Sequence, residues 1–374
     1  MNPHPIPTPY YPALTGIRAV AAFAVFGFHH RHLHGLGTSG ASVTLRALLG
    51  ELHIGVSIFF TLSGYLITAR YAGRRFDGAE WRRYLLHRVA RIWPVYLALA
   101  LATFAASYPT EGRQILGTWL NELAASLTLL KDLVQRWYLT GIAQSWSLTV
   151  EEGFYLLAPL VFWLGWRGRP GRTWPLLALG LAALGLGMYA ALPALGSPLF
   201  GLKATIFGRL PEFLLGAGFA WFAPRTRWAT VGGAGLLALS IELLIVIQVL
   251  TKQVSIDSYH GVLVNNLLLP IGTGWLLHGL ATEPTPLSWA LSTPLAQHLG
   301  QASYCFYLVH LGLLPLLARW LPAVPALAVL FGLLVLASLA LHYGLEQPAY
   351  RWLLARFEGR RAATPSLPHP AGRA

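Results

Sequence analysis

Charge is what this chain has least of. Only 11% of its 374 residues are Asp, Glu, Lys or Arg, against about 25% in a soluble globular protein. The shortfall accompanies repeated apolar runs of about 20 residues, the length that crosses a bilayer, and it excludes an ordinary soluble domain. Cysteine is almost missing. Cys305 stands alone, so there is no intrachain disulfide and no cysteine metal site. Acidic residues number 14 against 27 Lys and Arg. That excess does not signal nucleic acid, because the arginines sit in particular loops and no basic patch carries interleaved aromatics. A secretory leader is not expected either. The N-terminus has no basic n-region, and the first apolar run has no convincing cleavage site.

What is present is a succession of apolar segments. Ten spans are expected, at 14–33, 52–69, 93–108, 146–166, 174–192, 205–222, 229–250, 262–281, 300–318 and 324–343. The fold class that follows is all-α, a polytopic integral membrane protein. One transmembrane domain, 1–344, is expected. A short basic tail, 345–374, follows it, rich in Pro, Ala and Arg and disordered toward its end, with no soluble domain after the last span. Residues 115–130 fit a re-entrant or interfacial helix. Segment 70–91 holds seven arginines, 167–172 three, 223–228 two and the tail five, whereas the opposite loops together hold eight Lys and Arg, Lys131 among them. This bias places both termini in the cytoplasm, with the chain in the cell membrane.

Ionisable residues inside the spans are the candidates for chemistry. Each costs about 2.5–3.5 kcal/mol at the bilayer centre. Arg18 and His29 lie in the first span, eleven residues apart. That is about three helical turns, so they share one stripe about 16 Å long. A histidine titrates near working pH and suits a general base; an arginine on its face suits an anion or an acid. The competing reading is that both snorkel to opposite interfaces. His29 also opens the tract His29-His30-Arg31-His32-Leu33-His34. The tract leaves the helix and lacks a carboxylate partner, so a solvated loop is expected there rather than a metal site.

Further candidates recur along the chain. Ser63 lies between Gly55 and Thr68 in the second span, where the alternative is plain packing. Arg88 and Arg91 are three apart on a basic amphipathic segment, 81–94, which leads into the third span. Their forks suit phosphate oxygens, unless they only anchor to acidic membrane lipid. Ser147, Glu151 and Tyr155 recur every four residues and share a face, with Glu152 alongside; Glu151 is placed to orient a histidine or an arginine. Arg209 and Glu212 in the sixth span pair with each other or with charges on the first and fourth spans. Ser303, Tyr307 and His310 lie near one stripe of the ninth, where His310 wants a partner.

Taken in order, these blocks resemble the membrane-bound acyltransferase family 3, whose members O-acylate surface polysaccharides, lipid-linked sugars, peptidoglycan and macrolides. Arg18 through His29 is similar to the family's arginine, ten residues, histidine pattern. Gly55–Thr68, Arg88–Pro94, Trp146–Tyr155, Arg209–Gly216 and Ser303–His310 match its later blocks. Thr15 and Ser57 depart from it, standing where members often have Asp. The resemblance implies an O-acyltransferase. It would take an acyl group, by default acetyl, from cytoplasmic acyl-CoA as co-substrate, with no tightly bound cofactor. It would deliver that group to a hydroxyl of a glycan or another extracytoplasmic or lipid-linked acceptor. His29 would be the base or a transient acyl carrier, Arg18 would place the donor or meet the oxyanion, Glu151 or Glu152 would fix the histidine, and Arg88 and Arg91 would hold coenzyme A phosphates. The alternative is a transporter or flippase for an anionic or sugar-linked solute. Inverted repeats would mark one, and no clear repeat is present.

Overall fold

The computed structural model describes residues 10–31, 40–71, 78–108, 116–167, 170–311 and 326–358. Among these, regular structure is helical. The helices are α1 Pro12–His30, α2 Gly40–Glu51, α3 Ile54–Tyr71, α4 Gly78–Ser107, α5 Leu116–Leu127, α6 Trp146–Arg167, α7 Pro170–Ala191, α8 Pro198–Ala204 and α9 Ile206–Phe222. They continue with α10 Ala229–Thr251, α11 Tyr259–Leu263, α12 Leu269–Thr282, α13 Pro286–Leu291, α14 Pro294–Val309, α15 Ala326–Leu341 and α16 Gln347–Glu358. Among the described residues, 7 helical stretches are long and apolar enough to cross a membrane, Pro12–His30, Gly78–Ser107 and Ala229–Thr251 among them. The other three expected spans are held by α9, by the run through α11 and α12, and by α14, which are shorter or interrupted.

The side-chain contacts fix the directions of these helices. Tyr11 meets Tyr65 at 6.4 Å and Phe28 meets His53 at 5.5 Å, ring to ring, so α1 and α3 are antiparallel. Arg18 meets Ser303 and His29 meets His310, so α1 and α14 are parallel. Ser57 reaches both Asn265 and Arg209, Tyr65 reaches His278 and Thr61 packs on Gly216, so α9 and α12 run parallel to α3. Glu151 accepts from Ser63 and Trp146 packs on Phe60, which aligns α6 the same way. Gly279 packs on Thr230 and Gly272 on Leu237, so α10 opposes α12. Phe207 lies against Gly185 and Trp221 against Trp174, so α7 opposes α9. Tyr304 donates to the Ile92 carbonyl oxygen, with Leu99 near Leu308, so α4 follows α14. His298 meets Tyr343 and Phe306 meets Phe331, so α15 opposes α14. Directions therefore alternate through α1, α3, α4, α6, α7, α9, α10, α12, α14 and α15, as ten successive crossings require. Residues 70–71, 78–91, 170–172 and 223–228 and helix α16 fall at one end of the bundle, called here the basic end.

Close backbone approach holds the centre together. A side chain at Gly64 would collide with the Phe213 carbonyl, and one at Gly216 with the Thr61 carbonyl. Small residues at such crossings let helices pack where lipid gives no hydrophobic drive.

Local boundaries differ from the sequence expectation in three places. The third span, expected from 93, begins at Gly78, because the basic segment that leads into it belongs to the same helix. It continues through Pro94 as one 30-residue helix, because helix-interior proline is tolerated where neighbouring helices pack around it. The domain boundary at 344/345 falls inside a helical run, Leu327–Phe357, and α16 packs on α4, while residues 359–374 lie outside the described residues. Lys131 is no solvated loop charge. It is buried, with Nζ donating to the carbonyl oxygens of Thr140 (2.6 Å) and Ile142 (2.8 Å), and desolvation pushes its ammonium down to about 7.

Candidate active site

Two polar centres lie along the seam between α1 and α14. The first is a pair of imidazoles. His310 Nδ1 lies 2.7 Å from the Tyr307 carbonyl oxygen, and His310 Nε2 lies 3.1 Å from His29 Nδ1, which is also 3.0 Å from the Val25 carbonyl oxygen. Carbonyl oxygens only accept. The network therefore assigns the proton of neutral His310 to Nδ1 and leaves a lone pair at its Nε2. His29 then carries its proton on Nδ1, shared between His310 and Val25, and presents a lone pair at Nε2. His310 is fully buried, at 0% exposure, and its ring lies parallel to Phe306. It is held tightly enough to hold His29 in turn.

The second centre is a cavity of about 370 Å³ lined by Arg18, Ser63, Arg70, Arg88, Arg91, Glu151, Tyr155 and Gln301, among others. It lies toward the basic end. Four arginines from α1, α3 and α4 line it together with a single carboxylate, Glu151. That carboxylate accepts from Ser63 at 2.5 Å and from the Tyr155 hydroxyl through the same oxygen. Arg18 donates from Nε to Ser303 at 3.3 Å and lies over the Phe59 ring. The Arg88 guanidinium sits 5.0 Å from the Tyr155 ring centroid, which turns a flexible side chain into a fixed one.

The structure thus brings together six residues singled out in the sequence, Arg18, Ser63, Arg88, Arg91, Glu151 and Tyr155, and separately His29 with His310. The expected pairing of Glu151 with His29 is corrected. Glu151 faces the arginines, and the partner of His29 is His310. The i, i+4 stripe on α6 is real but serves two places. Ser147 meets the Tyr307 hydroxyl at 2.8 Å, and both lie within hydrogen-bond reach of the Gln144 carbonyl oxygen. Glu152 turns toward Arg88 and Trp93 of α4.

Arg209 and Glu212 reach no charge on α1 or α6. They pair with each other at 2.9 Å, and Arg209 also donates to Asn266 at 2.8 Å, beneath Phe60 and Trp146. Ser57, one of the two positions where acids are usual in the family, belongs to this network through Asn265. Breaking a buried ion pair by removing one partner leaves an uncompensated charge, so such a pair resists substitution more than it adds stability.

Sequence reasoning missed five participants. Arg70 counted only as a loop charge. Asn265 and Asn266, adjacent amides in an apolar run, were a usable signal. His342 and Glu346, 2.8 Å apart, fell beyond the last recognised block. Among the described residues no three His, Cys, Asp or Glu side chains are grouped to hold a metal ion; His32 and His34 of the histidine tract lie outside them.

Comparison with known proteins places this geometry. A family model described as "Acyltransferase domain", the acyltransferase 3 model, matches residues 11–344. The chain is 29% identical to acyltransferase MdmB of Streptomyces mycarofaciens over 96% of its own length and 95% of that protein's. It is 30% identical to O-acetyltransferase OatA of Staphylococcus aureus (strain NCTC 8325 / PS 47), over 41% of this chain and 24% of OatA. No solved structure matches it significantly. The transporter reading gives way to these matches. The chain belongs to the acyltransferase 3 family, as a membrane protein and an enzyme that transfers acyl groups.

Proposed function

We propose that this enzyme moves an acyl group, by default acetyl, from cytoplasmic acyl-CoA to a hydroxyl of a glycan or another extracytoplasmic or lipid-linked acceptor. One observation carries the reading. Arg18, Arg70, Arg88 and Arg91 converge at the basic end around a single lining carboxylate, Glu151, at the foot of the seam that leads to His29. The positive-inside rule supports a cytoplasmic basic end, the orientation in which both termini are cytoplasmic and the protein sits in the cell membrane. Coenzyme A carries a diphosphate and a 3′-phosphate, and guanidinium forks match such groups. Arg88 and Arg91 hold the diphosphate. Arg18 lies about 16 Å along α1 from His29, too far to meet an oxyanion forming there, so it places the pantetheine arm. The O-acetyltransferase among the relatives supports oxygen as the acceptor atom.

The reaction needs one lone pair. His29 Nε2 takes the acceptor hydroxyl's proton, the oxygen forms a bond to the thioester carbonyl carbon, and the C–S bond breaks. The coenzyme A thiolate then takes up the proton. If His29 instead carries the acyl group briefly, the same nitrogen attacks first. Serving either role, His29 is held by His310.

The test is donor binding to the full chain in lipid nanodiscs, read with radiolabelled acetyl-CoA. Arg88→Ala combined with Arg91→Ala is expected to raise Kd at least about tenfold, since each charged hydrogen bond lost is worth about 1.5–3 kcal/mol. An unchanged Kd removes both arginines from the donor site.

A further inference from the structure

The arginine-lined cavity does not end at Arg88 and Arg91. A second chamber of about 280 Å³ shares Arg70, Arg88, Arg91 and Gln301 with the first. Its remaining walls come from a different part of the chain. They include His87 of α4, His342 and Glu346 of the π-helical turn His342–Glu346, and Gln347 and Tyr350 of α16. No recognised block contains these residues, and the established acyl transfer gives them no task. The chamber lies at the basic end, beyond the shared arginines as seen from the α1–α14 seam.

Its lining is unlike a lipid-facing groove. His87 Nδ1 and the Tyr350 hydroxyl are 2.8 Å apart, with their rings tilted and 6.0 Å between centroids. Gln347 Nε2 donates to His342 Nε2 at 2.9 Å, and His342 Nδ1 donates to Glu346, which also accepts from Cys305 at 3.2 Å. The far wall is therefore built and cross-braced by polar side chains. A π turn, which costs regular hydrogen bonding and recurs at functional sites, sets the register that turns His342, Glu346 and Gln347 toward the chamber.

Resting on the acyl-CoA reading above, we infer that this second chamber receives the adenosine end of the donor. Stretched through the shared arginines, acyl-CoA must run two ways. With the diphosphate at Arg88 and Arg91, the pantetheine arm enters the chamber of Arg18 and Ser63. The nucleoside enters the other one. Tyr350 and His87 present ring surfaces on which a purine stacks, the amides Gln301 and Gln347 present donors and acceptors to its edge, and Arg70 remains for the 3′-phosphate. The polar walls and bracing disfavour a lipid tail as occupant.

The experiment measures binding to the full chain in nanodiscs with three probes: acetyl-CoA, acetyl-phosphopantetheine and adenosine 3′,5′-bisphosphate. In the wild type, adenosine 3′,5′-bisphosphate competes with acetyl-CoA. Tyr350→Ala weakens acetyl-CoA and the bisphosphate about tenfold, the size of one lost base–ring stack, and leaves acetyl-phosphopantetheine unchanged. Tyr350→Phe, which keeps the ring, stays within about threefold of wild type for all three. The inference is overturned if Tyr350→Ala changes none of the three or weakens all of them equally. It is overturned too if phosphatidylglycerol displaces acetyl-CoA while the bisphosphate does not. A wild type that binds no acetyl-CoA at all would instead overturn the donor assignment on which it rests.

Discussion

His29 acquires a defined role only through His310. A neutral imidazole has one donor and one acceptor nitrogen, and the Tyr307 and Val25 carbonyl oxygens decide which is which. His310→Ala removes the second acceptor of the His29 Nδ1 proton and frees the ring to turn. We expect acyl transfer to fall about 100-fold or more, within the range for a mispositioned general base, with the Kd for acetyl-CoA unchanged. Equal losses in both would place His310 in the donor site instead. The intramembrane charges were legible in the sequence because they are expensive, and Arg18, His29, Glu151 and His310 all stood out on that ground. Their pairing was not. Helical spacing tells which residues share a face of one helix, but not which neighbour that face meets. Glu151 met the arginines because α6 lies beside α3 at Ser63, and His310 met His29 because α14 runs parallel to α1.

Helix contacts explain why the blocks fall where they do. The Gly64 and Gly216 positions let α3 and α9 touch backbone to backbone, and this crossing stands between the α6 carboxylates and the Arg209 network. Gly64→Leu must push α9 away, so the thermal midpoint in detergent should drop, by an amount corresponding to about 1–3 kcal/mol of overpacking. A midpoint equal to wild type would mean the crossing is looser than drawn. Apolar length made the ten crossing segments visible beforehand, but not the short helices α2, α8 and α13 between them. The exceptions have physical causes. The third span was expected to begin at 93, yet α4 begins at Gly78 and carries Pro94 inside it. Lys131 looked like a loop charge, but two carbonyl oxygens and burial absorb it. The polar sequence of α16 looked like tail, and its packing against α4 was invisible without the partner.

Alternation of direction through ten helices, with the basic segments at one end, ties the two centres to the two faces of a membrane. The arginine cavity opens toward one face and the His29–His310 pair lies toward the other. The topology can be read with single cysteines, because the native Cys305 is buried. A membrane-impermeant maleimide applied to intact cells should label Lys252→Cys, while Thr226→Cys should label only after the membrane is opened. The reverse pattern would invert the molecule and place the arginines outside. Charge bias already suggested this orientation in the sequence. The parallel run of α1 and α14, which sets both centres along one seam, required the three-dimensional contacts.

Separation of binding from transfer is the sharpest consequence of having two centres on one seam. His29→Ala in nanodiscs should bind radiolabelled acetyl-CoA with wild-type Kd, while its transfer of the label, followed in membranes that hold the natural acceptor, falls to background. Transfer retained within a few-fold of wild type, with the protein present in equal amount, would contradict the assignment of His29 as the reacting base or carrier.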